Sequence, residues 1–158
     1  STKPVWEAGS LTRGISYGFV GSNHLFFVVS RHASLGGKQI IYYNALTGDS
    51  LGVLDTTGIA GGVAVVNDVE VSADGKIFVS NMTTNASAST FIVYKYDSLS
   101  AAPVAVISYN TTADRLGDKF TVTGSRQFYH LFLQRNPLYQ TPPLILFSRI
   151  FSKSKLYV

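Results

Sequence analysis

Three short stretches of the chain share one alternation of side chains. In Gly14-Ile15-Ser16-Tyr17 the apolar Ile15 and Tyr17 fall on one face with Ser16 between them. Asp68-Val69-Glu70-Val71 sets two valines against two carboxylates, and Lys119-Phe120-Thr121-Val122 sets Phe120 and Val122 against polar neighbours. A period of two is that of a β-strand. Each stretch is followed by a second apolar run: His24 to Val29, Lys76 to Ser80 and His130 to Gln134. A third run follows in turn, at Gln39 to Tyr43, Phe91 to Lys95 and Leu144 to Ser148. Leu51, Val53 and Leu54, then Val104 to Ile107, then Lys155 to Val158 predict a fourth strand in each unit. Leu25-Phe26-Phe27-Val28-Val29 is apolar without interruption, which predicts a strand covered on both faces.

Turn residues separate these runs. Gly21-Ser22-Asn23, Leu35-Gly36-Gly37-Lys38, Asn44 to Asp49 and Ala73-Asp74-Gly75-Lys76 read as turns or hairpins. Pro103 falls where a strand begins and a missing N–H is tolerated. No window has the 3.6-residue spacing of a helix. Four short strands recurring about every fifty residues are the mark of a propeller blade. The expected fold is therefore all-β and β-propeller-like, with about three four-stranded antiparallel blades in one domain over residues 1–158. The blades are placed at about 13–59, 60–110 and 111–158. Three blades make only a partial ring, since closed rings take roughly 4–8. The chain would then belong to a larger propeller or close against another copy, and its end faces would favour self-association. Trp6, the one tryptophan, is expected to pack on a blade face.

Composition changes this picture in one place. Residues 1–124 hold 8 Lys and Arg against 9 Asp and Glu, whereas residues 125–158 hold 5 basic residues and no acidic one. That tail also has none of the 14 glycines and three of the five prolines. It reads as an edge-covering extension, a divergent last blade, or a shifted reading frame beyond Ser125. Its basic residues, Arg126, Arg135, Arg149, Lys153 and Lys155, are scattered among aromatics rather than clustered, which argues against a nucleic-acid partner. No apolar run approaches the ~20 residues of a membrane-spanning helix. The absence of cysteine excludes disulfides and thiolate metal sites. No secretory leader is read at Ser1, as expected of a mature or trimmed form.

Candidate chemistry is sparse. Asp68 and Glu70 lie two apart on a first strand, so both emerge on one face, expected to line a central channel. With Asn67, Arg13, Arg115 and Asp118 at comparable strand starts, they predict a polar ring at one channel mouth. Such a ring would hold a sugar, a small anion or a metal, Ca²⁺ being the ion that carboxylates suit. The structural alternative is that the same residues form ion pairs between blades and cap turns. His24, His32 and His130 lack the spacing of a metal site, and no nucleophile elbow or phosphate loop occurs. No catalytic residue and no metal ligand is assigned. Asn81, Asn85 and Asn110 open N-x-Ser/Thr sequons in predicted loops and are glycosylation candidates.

Five strings carry a family resemblance: Thr12-Arg13-Gly14-Ile15-Ser16-Tyr17-Gly18, Asn67-Asp68-Val69-Glu70-Val71-Ser72, Asn81-Met82-Thr83-Thr84-Asn85, Val93-Tyr94-Lys95-Tyr96-Asp97 and Arg115-Leu116-Gly117-Asp118-Lys119. Over about residues 5–124 the chain resembles a family of secreted bacterial β-propeller proteins classed as a domain of unknown function, whose members often carry a C-terminal secretion-sorting domain. Past Ser125 it departs from that pattern. The resemblance implies an extracellular or cell-surface protein that binds carbohydrate or protein, and it implies no reaction. The expected function is therefore a non-catalytic propeller segment for binding or assembly. The alternatives are a propeller hydrolase or lactonase with a metal in its channel, and a filament subunit.

Overall fold

The computed structural model describes residues 11–125, 128–134, 144–150 and 153–157. Trp6 lies outside them. The described chain is all-β apart from one turn of 3-10 helix at Ala33–Leu35. The first sheet comprises β1 (Thr12–Val20), β2 (Asn23–Ser30), β3 (Gln39–Asn44) and β4 (Ser50–Val53). The second comprises β5 (Ala64–Val71), β6 (Ile77–Met82), β7 (Phe91–Tyr96) and β8 (Val104–Tyr109). The third comprises β9 (Phe120–Ser125), β10 (Phe128–Gln134), β11 (Leu144–Ile150) and β12 (Lys153–Tyr157). In all three, neighbours in sequence are neighbours in the sheet, and every pair is antiparallel.

The turns have identifiable causes. Gly21 (φ 63°) and Gly75 (φ 78°) take the left-handed conformation that hairpins favour. The turn expected at Leu35–Lys38 forms at Gly36 and Gly37, directly after the 3-10 turn at Ala33–Leu35. His32 caps it, its side chain accepting from the Ser34 N–H, and Gly36 closes it in the left-handed region. Leu54 stands just past β4 rather than in it. Its N–H bonds to Ile40 O at 2.9 Å and its side chain is buried.

The second sheet is the shared layer of two cores. Ile77 and Val79 on β6, with Tyr94 and Tyr96 on β7, pack against Leu25, Phe27, Val29 and Ile40 of the first sheet. The opposite face, with Phe78, Phe91, Val93 and Tyr109 of β8, packs against Leu116 and Phe120 at the approach to the third. Alternation along one strand thus feeds two layers, which is why Ile77-Phe78-Val79 is apolar throughout. The same holds for β2: its other face joins Phe26 and Val28 to Ile41 and Tyr43. Two tyrosines of β7 also hold the link between the first two sheets. Tyr96 Oη donates to Asp55 O at 2.7 Å, and Tyr94 Oη bonds both Ala60 O and Ala60 N–H.

The face of β1 that meets β5 is the small one. Gly14 and Ser16 are buried, while Ile15, Tyr17 and Phe19 on the opposite face are 63%, 55% and 49% exposed. A Cβ on Gly14 would stand 2.6 Å from Asp68 Cα and 2.9 Å from Val69 N, and closer still to Asp68 Oδ1. One on Gly18 would stand 2.5 Å from Val71 Cγ1. Glycine here serves the approach of two backbones, not a special φ.

This geometry separates two kinds of glycine. Gly14→Ala must push backbone from backbone, and is expected to cost about 1–3 kcal/mol in urea unfolding. Gly21→Ala meets nothing within 4 Å and suffers only from its φ of 63°, at about 1–2 kcal/mol. If the Gly14 variant unfolds at the wild-type urea midpoint, the close packing of β1 on β5 is wrong.

Candidate functional site

The start of β1, the middle of β5, the end of β6 and the segment leading into β9 converge on one cleft of about 290 Å³. From the first sheet come Thr12, Arg13 and Gly14, and from the second Asn67 and Met82. The approach to the third supplies Arg115, Asp118 and Lys119. Four residues singled out in the sequence, Arg13, Asn67, Arg115 and Asp118, are thus brought together. Asp68 and Glu70 are not among its lining residues; their carboxylates lie in the contacts between sheets.

Local bonding explains each position. Leu116 pairs with Thr83 in an isolated antiparallel bridge, both N–H···O bonds at 2.9 Å, which docks the approach to β9 on the end of β6. Gly117 then takes φ 87°, where a Cβ would strike Asn81 O. Asn67 Nδ2 donates to Gly117 O at 2.7 Å and Asp118 O at 3.3 Å, holding that turn against β5. Arg115 closes it with a bidentate pair, Nε to Asp118 Oδ2 and Nη2 to Oδ1, each 2.6 Å. The hydrogen-bonded carboxylate in turn raises the Arg115 pKa.

Asp68 is 1% exposed and accepts the Phe120 N–H at 3.0 Å, with Lys119 Nζ at 3.4 Å. Burial raises its pKa, while the Phe120 N–H and Lys119 oppose the rise. Glu70, two residues on, faces β1, where Ser16 Oγ donates to it at 3.2 Å. Its carboxyl is pushed up to about 7, first by burial and then by the Asp68 charge, with Ser16 and Lys119 pulling the other way. One strand face therefore serves two neighbours, the third sheet through Asp68 and the first through Glu70.

The remaining candidates fall elsewhere. His24 Nδ1 meets Tyr17 Oη at 2.8 Å, His32 caps its turn, and the His130 side chain lies outside the described residues. Among the described residues no group of three His, Asp or Glu is placed to hold a metal ion. Asn81 was expected in a loop but lies in β6 and is fully buried, Nδ2 donating to Thr90 O and Oδ1 accepting Ile92 N–H, both at 2.9 Å. Asn85 is half-buried in a turn, its Oδ1 accepting from Ser87 Oγ, and Asn110 is exposed after β8. Sequence reasoning missed Thr12, Gly14, Met82 and Lys119 as lining residues. Lys119 had a signal, since it follows Asp118 at a strand start already singled out. No described helix is long and apolar enough to cross a membrane.

The same fold occurs in a DUF4623 family protein. Its crystal structure, from Bacteroides eggerthii DSM 20697, matches this chain with a TM-score of 0.71 at 18% sequence identity. The match covers 92% of this chain and 35% of that one, so this chain spans about a third of the DUF4623 protein's length. No family model and no curated protein matches the sequence.

The raised Glu70 carboxyl has a measurable consequence. Its folded-state pKa, about 7, exceeds its ordinary value of 4.5. The unfolded chain therefore releases this proton first, and stability falls as pH climbs from 4.5 to about 7. Glu70→Gln keeps an acceptor for Ser16 and abolishes the titration. It is expected to exceed the wild type by roughly 1–2 kcal/mol above pH 8, after allowance for solvent screening, with the gap closing by pH 4.5. Denaturant unfolding across that range checks this, and a pH-independent gap would show that Glu70 titrates normally.

Proposed function

We propose that the three sheets are successive blades of a larger β-propeller and that the chain works by binding rather than catalysis. Three features support the blade reading: the identical four-strand order, first strands that lie side by side, and sheets stacked through shared cores. The DUF4623 neighbour is nearly three times this length, and a ring built along all of that length would have room for roughly eight such sheets, the upper end of known rings. In such a ring the exposed Ile15, Tyr17 and Phe19, with Leu51 and Val53 on β4, would be covered by another blade. The family resemblance of the sequence supports an extracellular or cell-surface setting.

The observation that carries the binding reading is the cleft where the first strands of two sheets and the approach to a third converge. Its carboxylate is occupied: both Asp118 oxygens are held by Arg115. That leaves a site shaped for recognition of a carbohydrate or protein group, with no positioned general base.

Two measurements test these readings. Light scattering on the purified chain is expected to give a dimer or a broader assembly, and Ile15→Lys with Phe19→Lys is expected to shift it towards monomer. A monodisperse wild-type monomer would show that the apolar face needs no cover. Amide shifts during titration with oligosaccharides and peptides are expected to cluster at Arg13, Asn67 and residues 115–119. Shifts elsewhere, or none with any ligand, would remove the cleft as the binding site.

A further inference from the structure

We infer that this cleft is an anion site for an acidic saccharide, recognising a carboxylate or sulfate on a ligand about one sugar ring in size. The inference rests on the reading of the cleft as a binding site. Its first support is the distribution of charge. Residues 11–124 carry seven Lys and Arg against eight Asp and Glu. Three of the seven basic residues, Arg13, Arg115 and Lys119, line the cleft, with only one acid, Asp118. A chain segment of net negative charge has gathered its cations at one concave place, where low-dielectric walls focus their field.

Second, these cations have charge to spare. Asp118 offers both oxygens to Arg115, which fixes the guanidinium and leaves its other N–H donors uncommitted by that pair. Lys119 reaches Asp68 only at 3.4 Å, and its side chain is 64% exposed. That carboxylate already accepts the Phe120 N–H. Arg13 makes no ion pair among the described residues.

The size and lining narrow the ligand. A volume of about 290 Å³ lies at the lower limit for small-molecule sites. Met82 is its one large apolar residue, so it lacks the apolar pockets that anchor peptide side chains. A hydrophilic ring bearing an anionic group fits both facts.

Calorimetry on the full 158-residue chain at low and high salt tests the inference with four probes: trigalacturonate, neutral galactotriose, sodium sulfate and a tetraglutamate peptide. Trigalacturonate is expected to bind, to weaken as salt rises, and to lose roughly tenfold or more in affinity in Arg13→Ala and in Lys119→Gln. Galactotriose is expected not to bind. Unchanged thermal melts would show both variants folded, and Arg13→Ala leaves the Lys119–Asp68 contact intact should the second variant be unstable. Equal binding of galactotriose, insensitive to both variants, would overturn the anion site while leaving the binding reading in place. Sulfate binding as tightly as the saccharide would reduce the site to a free-oxyanion site and overturn the saccharide assignment, as would preference for tetraglutamate. Binding of none of the four would overturn the inference, while the cleft reading would still be decided separately by the amide-shift map.

Discussion

A buried carboxylate, Asp68, is the point at which the three sheets are held together. On one side it lies against Gly14 of β1 at a distance no side chain would allow. On the other it accepts the backbone N–H of Phe120, where β9 begins. A carboxylate taken from water is costly unless it is hydrogen-bonded, and removing its partner strands the charge. The β1–β5 approach and the β5–β9 link therefore depend on each other through one side chain. With the Leu116–Thr83 bridge and the bonds of Asn67 to Gly117 O and Asp118 O, this link brings Arg115, Asp118 and Lys119 to the cleft that Arg13 also lines.

Around that point the second sheet serves as the common wall. Its two middle strands, β6 and β7, send alternate residues into two cores, so it cannot be loosened on one face without disturbing the other. The tyrosines of β7 extend the coupling beyond apolar contact. By bonding to the backbone at Asp55 and Ala60, they settle where the chain runs between the first two sheets. Lys38 adds to this from the other side, its Nζ reaching Thr56 O and Ile59 O at 3.2 Å each.

The strands were legible in the sequence because alternation and turn glycines are local signals. Which face is covered was not. Ile15 and Tyr17 share a face, as their spacing requires, yet they point outward in the described structure, and it is Gly14, Ser16 and Gly18 that meet β5. Alternation groups residues by face but says nothing of the neighbour, and a face of glycines carries no hydrophobic mark although the closest packing occurs there. The gathering of Arg13, Asn67, Arg115 and Asp118 was legible because equivalent places in repeated units come together when the units stack. The parting of Asp68 from Glu70 was not, since it depends on two different sheets flanking one strand. Asn81 was misplaced for a related reason. Asn-Met-Thr-Thr reads as loop chemistry, and only the bonds to Thr90 and Ile92 reveal that its amide completes the junction of β6 with β7.

The burial of Asn81 bears on where this protein can be made. In the secretory pathway of a eukaryotic host, glycan transfer to Asn-x-Thr takes place on extended chain, before β6 has paired. Asn81 and Thr83 are both inaccessible in the folded chain, so a sugar installed early would occupy the amide that Thr90 and Ile92 need and would have no room beside Gly62 and Gly117. Glycosylated molecules would be trapped short of the native sheet, whereas a host without that machinery meets no such obstacle. The sequon is harmless only where no transferase meets the chain before it folds.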